Sequence, residues 1–485
     1  MKNIRIYMIC LVLFAIQSCD GILDVAPEFS KEGSQIFKSL EDYEYALTGA
    51  YALFRQVGYY GSGGQTTSTW GNLPDMMATD LVRTSEDLAN WQTQVNWTYT
   101  ANEDDIRVAW LAAYSVVAQA NLTLRNIEQF SSTQQKAVNR IKGQALAIRG
   151  LAHFDIFRFW AESYERNSTA FGIPYIESVD VTHKPSRLSV SASYDKMFTD
   201  LETAELLLTD IDRPVNGANT RAYLDLIGVR AILARLNLYA KDYEKAESYA
   251  SSVIAEIGLA NRATFPSIWN DVTSLEVIWS VAFNLGEGSP SSGLHLSSTN
   301  RNRFKPSSFL ESTYDVNNDI RYTSYFATRV LGGTPRRIVS KFYGRDATPP
   351  TASNNIVNWK AIRTGEMFLI RAEARVNQPG KEDEALADLN TLRAARIENY
   401  EDENLTGQLL IDAIALERRK ELLGEGHQWF DLKRTTKYIS RPVADGHLVS
   451  TPLILSSDSR EWTWPIPNAE VIANPNIINQ QTSGY

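Results

Sequence analysis

Between Ile227 and Ile257 the apolar residues fall into two runs at helical spacing, and no other stretch restricts the fold as tightly. Ile227, Ala231, Ala234 and Leu238 recur at steps of four, three and four, one face of a helix. After Lys241-Asp242-Tyr243 the spacing repeats with Ala246, Ala250, Val253 and Ile257. Ala234 and Ala246 are small enough to let two backbones approach closely, and Gly258 is placed to end the second helix in a left-handed conformation. A tetratricopeptide-type hairpin of this kind cannot bury its own apolar face, so it requires neighbours of the same kind.

The rest of the chain offers them. Leu40–Arg55, Ala109–Ile127, Gln134–Ala161 and a segment from Arg187 to about Leu208 all read as helices. So do Gly365–Val376, Glu382–Arg396 and Leu409–Leu423, the first two forming another hairpin about Gln378-Pro379-Gly380. Glu276–Phe283 has the look of a strand, and the tail from 440 reads as a Pro/Asn-rich loop. The expected fold is therefore mainly α, a tetratricopeptide-type scaffold with little β structure and a long irregular segment. Two regions break the helical pattern, 58–100 and 284–360, both rich in glycine, polar residues and rings. With 11 Trp and 22 Tyr the chain has more rings than a helical core needs, so some of them are expected on display.

The N-terminus sets the compartment. Lys2 and Arg5 precede an apolar run, Ile6 to Ile16, too short to span a bilayer. Ile16-Gln17-Ser18-Cys19 follows, and the whole resembles a bacterial lipoprotein signal in which Cys19 is lipidated. An ordinary secretory signal with an incidental cysteine is the alternative. The reading divides the chain into a signal peptide (1–18), a lipidated tether (19–40), an N-terminal region (41–260) and a C-terminal region (261–485). Loss of the signal leaves Cys19 as the sole cysteine, so stability must come from packing. The net charge of −9 and the lack of a long basic run argue against a nucleic-acid partner.

Several motifs together resemble the SusD/RagB family. They are the lipoprotein start, Asn72-Leu73-Pro74-Asp75-Met76-Met77-Ala78-Thr79-Asp80, the helix from Gly143 to Asp155, Phe171-Gly172-Ile173-Pro174 and Arg187–Tyr194. The most specific is Glu417-Arg418-Arg419-Lys420-Glu421-Leu422-Leu423-Gly424-Glu425-Gly426, followed by Trp429-Phe430-Asp431-Leu432-Lys433-Arg434. His153 stands where the family more often has tyrosine. The resemblance implies about four tetratricopeptide-type helix pairs carrying an irregular ligand-binding segment. It also implies a non-enzymatic lipoprotein on the outer face of the outer membrane. Such a protein binds oligosaccharide or polysaccharide and delivers it to a SusC-like TonB-dependent transporter. RagB-like members of the same architecture are associated with peptide uptake.

A sugar presents C–H faces and a rim of hydroxyls, so a receptor needs flat rings and amide, carboxylate or guanidinium groups. The first loop region offers Trp70, Trp91 and Trp97, with Asp80, Arg83, Asn90 and Asn96 close in sequence. The second offers Phe304, Tyr314, Tyr322 and Tyr325, with Asn300, Arg301, Asn302, Arg303 and Arg321. A ring in such a loop more often packs beneath it than faces a ligand; Trp91 and Trp97 stand out for their polar neighbours. Glu417, Glu421, Glu425, His427 and Asp431 invite a catalytic reading, but carboxylates and cations one helical turn apart are an ordinary source of ion pairs. Glu103-Asp104-Asp105 is explained by a helix N-terminus. No histidine spacing suits a metal, and no nucleotide or nucleophile motif is present, so neither a metal nor a cofactor is expected. A glycoside hydrolase using two loop carboxylates and a plain tetratricopeptide adaptor are the readings from other classes.

Overall fold

The computed structural model describes residues 37–61, 68–87, 91–180, 182–217, 220–284, 287–288, 294–296, 301–345 and 356–485. The signal peptide, Cys19 and nearly all of the expected tether lie outside the described residues, as do Asn90 and Asn300.

Helices dominate: α1 (Leu40–Leu53), α2 (Asp104–Leu124), α3 (Ser131–Trp160), α4 (Val190–Leu207), α5 (Leu226–Tyr239), α6 (Tyr243–Glu256), α7 (Thr364–Val376), α8 (Glu382–Ala394), α9 (Gly407–Glu421) and α10 (Gln428–Arg434). From α1 to α8 each helix packs against the next, giving four consecutive pairs. The α5–α6 hairpin has the expected faces, with Ala231, Ala234, Leu238, Ala246, Ala250 and Val253 all buried. Its termini are set by side chains. Asp225 accepts the N–H of Gly228 at 2.9 Å and Asp242 that of Lys245 at 3.2 Å, each satisfying a donor that the first turn leaves free. The turn uses Lys241 at φ +60°. Gly258, expected in the left-handed region, is not there: α6 already ends at Ile257, whose φ of −129° takes the chain straight into extended backbone. Ser131–Trp160 contains a break at Gln134 (φ −140°), so its regular portion starts where the sequence places it.

The long segment between α6 and α7 leaves those two helices in contact. It can do so because its ends are tied together: Val277–Val281 pairs antiparallel with Trp359–Arg363, from Val277 opposite Arg363 to Val281 opposite Trp359. One apolar cluster then runs from Leu40 to Ile477, crossing the expected boundary at 260/261.

The Glu417–Gly426 signature does its work inside the protein. Arg321 donates to Glu417 at 2.5 Å and Glu421 at 2.9 Å, and Arg363 and Arg396 converge on the same Glu421. All five side chains are essentially without solvent contact. Burial alone would raise the Glu421 carboxyl, but Arg396, Arg363 and Arg321 outweigh it and hold it well below the usual range. These ion pairs therefore pack helices and do not decorate the surface.

Candidate functional site

The first loop motif and the C-terminal signature form one joint. Asp75 accepts the N–H of Gly426 at 2.6 Å and of Gly424 at 3.3 Å, while Asn72 donates to the Gly424 carbonyl at 3.0 Å. Gln428 accepts the N–H groups of Thr79 and Asp80, each at 3.0 Å. Gly426 sits at φ +82°, and a Cβ there would lie 2.4 Å from the carbonyl oxygens of Trp70 and Gly71. Only glycine satisfies both conditions.

Directly after that joint the two ring-bearing regions meet. Leu81–Arg83 pairs antiparallel with Phe304–Pro306, with Leu81 opposite Pro306 and Arg83 opposite Phe304. The strand pair has two ends with different surroundings.

The end at Arg83 is polar. Glu86 accepts the N–H of Asn302 at 2.7 Å and the Nε–H of Arg336 at 2.6 Å. Arg83 lies 3.6 Å from Asp87, which also feels Arg303. Burial pushes the Asp87 carboxyl up to about 6, against the pull of both guanidiniums. Among the described residues, Arg83 Nε and Asn302 Oδ1 lack a hydrogen-bond partner of good geometry, as do Trp91 Nε1 and Asn96 Oδ1 on the adjoining stretch, while Asp87 has only the loose approach of Arg83 and of the Trp91 N–H. Buried polar groups are nearly always paired, so this concentration requires an explanation.

The end at Asp80 opens into a groove of about 930 Å³. One wall is the face of α9 carrying Ile411, Asp412, Ala415, Arg418 and Arg419; the other is formed by Gln428, Asp431 and Leu432 of α10 and by Tyr438, Ile439, Ser440 and Pro442. Phe309 stands at the strand end, half exposed, with the Arg419 guanidinium 5.5 Å from its ring centre. Lys241 and Tyr243 also line it. Asp80 is itself buried and paired with Arg419; burial raises its carboxyl despite that partner.

The rings expected on display are not. All eleven tryptophans are buried. Trp70 donates its indole N–H to the Asp155 carbonyl at 2.9 Å, and Trp97 to that of Met77 at 3.0 Å with Arg441 3.9 Å above its ring. Trp91 and Phe304 are core residues, Tyr314 is buried with its hydroxyl on the Lys420 carbonyl at 2.7 Å, and Arg321 belongs to the internal network. Tyr322 alone of the ten candidates outside the signal region is part-exposed, beneath Arg337. The physical reason is area: a tryptophan is worth more in the core than any other side chain, and a loop without helical periodicity needs large rings to cover the scaffold under it. The structure brings Arg83 and Phe304 together, and Asp80 to the groove; it leaves Tyr314, Tyr322 and Arg321 on the side of the C-terminal network.

Two family models match this chain. One, described as the SusD family, matches residues 313–485; the other, described as starch-binding associating with outer membrane, matches residues 42–238. The chain belongs to the SusD family. SusD-like protein P38 of Formosa agariphila is 25% identical over 98% of both chains, and SusD-like protein P2 of the same organism is 24% identical over 99% of both. A SusD superfamily protein of Bacteroides thetaiotaomicron superposes with a TM-score of 0.78 at 26% identity, covering 92% of this chain and 99% of that one. One from Bacteroides vulgatus gives 0.78 at 23%, covering 93% and 100%, and shows the shared fold.

For this SusD-family protein, sequence reasoning missed Asp87, Phe309 and Tyr438 as site residues. Asp87 carries only a weak local signal, Arg83 four residues before it, since its other neighbour, Arg303, arrives from the second loop region. Phe309 had one: it follows Ser307, whose hydroxyl caps the next turn and accepts from Leu310 N–H at 3.2 Å. Among the described residues no cluster of three His, Cys, Asp or Glu side chains is set to hold a metal, and no helix is long and apolar enough to cross a membrane.

Proposed function

We propose that this protein captures carbohydrate at the cell surface without cleaving it. It then delivers the carbohydrate to a SusC-like TonB-dependent transporter in the outer membrane, to which acyl chains on Cys19 would hold it. The observation that carries this reading is the polar end of the strand pair. Guanidinium, carboxylate and amide groups from two distant loop regions collect there, several of their buried atoms without a hydrogen-bond partner among the described residues. A hydroxyl-rich ligand offers both donors and acceptors and matches that mixture. The match of residues 42–238 to a starch-binding family supports the same ligand class. Asp87, whose carboxyl burial raises to about 6, is flanked by Arg83 and Arg303, while Glu86 is engaged by Asn302 and Arg336. That favours binding over the facing carboxylate pair of a glycosidase.

The test is affinity electrophoresis of residues 20–485 through gels containing plant, fungal or host polysaccharides, with Arg303→Ala and Asn302→Ala alongside. Retardation by one polysaccharide, relieved in both variants, is the expected result. Absence of retardation by every polysaccharide would refute the carbohydrate reading. Unchanged oligosaccharide uptake in cells lacking the gene would refute delivery.

A further inference from the structure

The helical scaffold ends with an uncovered face. Helix α9 packs on α7 and α8 through Leu410 and Ile414, and the next face around the helix is left open along the groove. Ile411, Ala415 and Arg419 follow one another there at four-residue steps, and Ile411 is 41% exposed. In a stacked helical array the terminal unit needs a polar outer face or a covering partner. Among the described residues no partner covers this one, and exposed apolar side chains continue beside the groove at Val443, next to Pro442, and at Ile454, opposite Ser440.

The opposite wall carries an open strand edge. Among the described residues Ile439–Ser440 pairs with Ile454–Leu455 on one side only, as a two-stranded sheet. Arg441 donates its N–H to the Leu453 carbonyl at 2.8 Å, so the bonded positions of this ladder are Arg441 and Ile439. Ser440, between them, directs its own N–H and carbonyl away from the partner strand, towards the free edge. Ser440 is solvent-exposed and lines the groove beside Tyr438. At the groove floor Arg418 is 3% exposed, and its Nη1 finds no partner among the described residues.

We propose that this groove docks an extended segment of a partner protein, which adds as a third strand at Ser440. Its alternate side chains would be apolar and face α9. The α9 wall from Gln408 to Leu422 is about 21 Å long at a helical rise of about 1.5 Å per residue, room for about six residues of strand. Strand addition supplies the main-chain bonds and the apolar wall supplies register. A segment carbonyl or carboxylate reaching the floor would satisfy Arg418. The apolar rim singles out a protein as the source of the segment. A free peptide would fill the groove and leave Val443 and Ile454 in water, whereas a protein surface would cover them.

The test uses fluorescence anisotropy of the mature protein with a labelled eight-residue peptide of alternating Leu and Ser, against a peptide of equal composition with its leucines grouped. Saturable binding of the alternating peptide, about tenfold tighter than the grouped one, is expected. Ser440→Pro deletes the edge N–H and Ile411→Asp charges the wall; each should weaken binding about tenfold with the melting temperature retained, while Val330→Asp, exposed elsewhere, leaves it unchanged. No saturable binding, equal binding of the two peptides, or a neutral Ser440→Pro would overturn the proposal. Import of the labelled peptide into cells, lost in an Ile411→Asp strain, would make the occupant cargo and overturn it as well. Polysaccharide retardation should survive Ile411→Asp, which separates failure here from failure of the carbohydrate reading.

Discussion

Asp75 accepts the N–H of Gly426 at 2.6 Å across a separation of 351 residues, and this bond locks the first loop motif to the C-terminal signature. Two of the most recognisable stretches of the sequence are thus two halves of one joint. Asp75 and Asn72, which carry the first half, are both buried.

Substitution at that joint should be far costlier than its size suggests. Gly426→Ala places a methyl group 2.4 Å from two backbone oxygens in addition to the left-handed penalty. Gly333→Ala, at φ +80° with open space around it, meets the penalty alone, about 1 kcal/mol. Thermal unfolding of the two variants should show a small loss for Gly333→Ala and either insolubility or a several-fold larger loss for Gly426→Ala. Equal losses would mean the joint yields easily.

The Arg321–Glu421 network should make the protein acid-sensitive in a defined window. Burial would raise the Glu417 carboxyl, but Arg321, Lys420 and Arg393 hold it down to about 2, against an ordinary value of 4.5. A depressed carboxylate stabilises the fold fully above its unfolded value and loses that contribution as pH falls through the folded one. The network's contribution should therefore fade between pH 4.5 and about 2. Glu417→Gln should flatten the decline over that window. Glu421→Gln should cost about 3–5 kcal/mol at neutral pH, since three buried guanidiniums lose their common partner. Urea titrations at a series of pH values measure both.

His153 adds a second pH dependence, nearer neutrality. Its ring stacks on Tyr175 at 3.7 Å, Nδ1–H donates to the Arg149 carbonyl and Nε2 accepts the Ile176 N–H at 3.1 Å. Burial, reinforced by Arg149, keeps the imidazole neutral to well below its usual pKa. The unfolded chain then takes up a proton first as pH falls, so stability present above about 6.5 is lost below it. His153→Phe should be less stable at pH 8, having lost two hydrogen bonds, yet show a shallower decline from pH 7 to 5. His427, depressed by burial and by Arg235 and Arg418, should retain the remainder of that slope. An unchanged slope in His153→Phe would place the proton uptake elsewhere.

What could be read from the sequence followed the range of the interactions. The α5–α6 hairpin was legible because its signal is periodic and local, and Glu103 before α2 because a helix start is local too. Trp97 was not: the carbonyl of Met77 and the guanidinium of Arg441 that enclose it come from other parts of the chain, and a tryptophan between polar residues looks the same whether it roofs a core or faces a ligand. The signature acids were readable as ion pairs, but their burial depended on Arg321, Arg363 and Arg396 arriving from separate segments. The hairpin of Phe326–Leu331 with Thr334–Val339 was missed although Gly332-Gly333 was a usable turn signal, both residues at positive φ.

The buried tryptophans give a way to separate binding from folding. Trp91→Ala and Trp97→Ala remove large core side chains, at a cost of about 3–5 kcal/mol each. Any loss of polysaccharide retardation in those variants should therefore track their melting temperatures. Arg303→Ala removes a guanidinium that is buried and, among the described residues, forms no ion pair, feeling only the charge of Asp87; relieving that burial should leave the melting temperature unchanged or raised. If the polar end of the strand pair holds the ligand, Arg303→Ala alone should lose retardation while keeping its fold. Should Trp91→Ala lose binding at full stability while Arg303→Ala keeps it, the ring would be turning out to meet the sugar, and the buried position would be the unliganded arrangement of that loop.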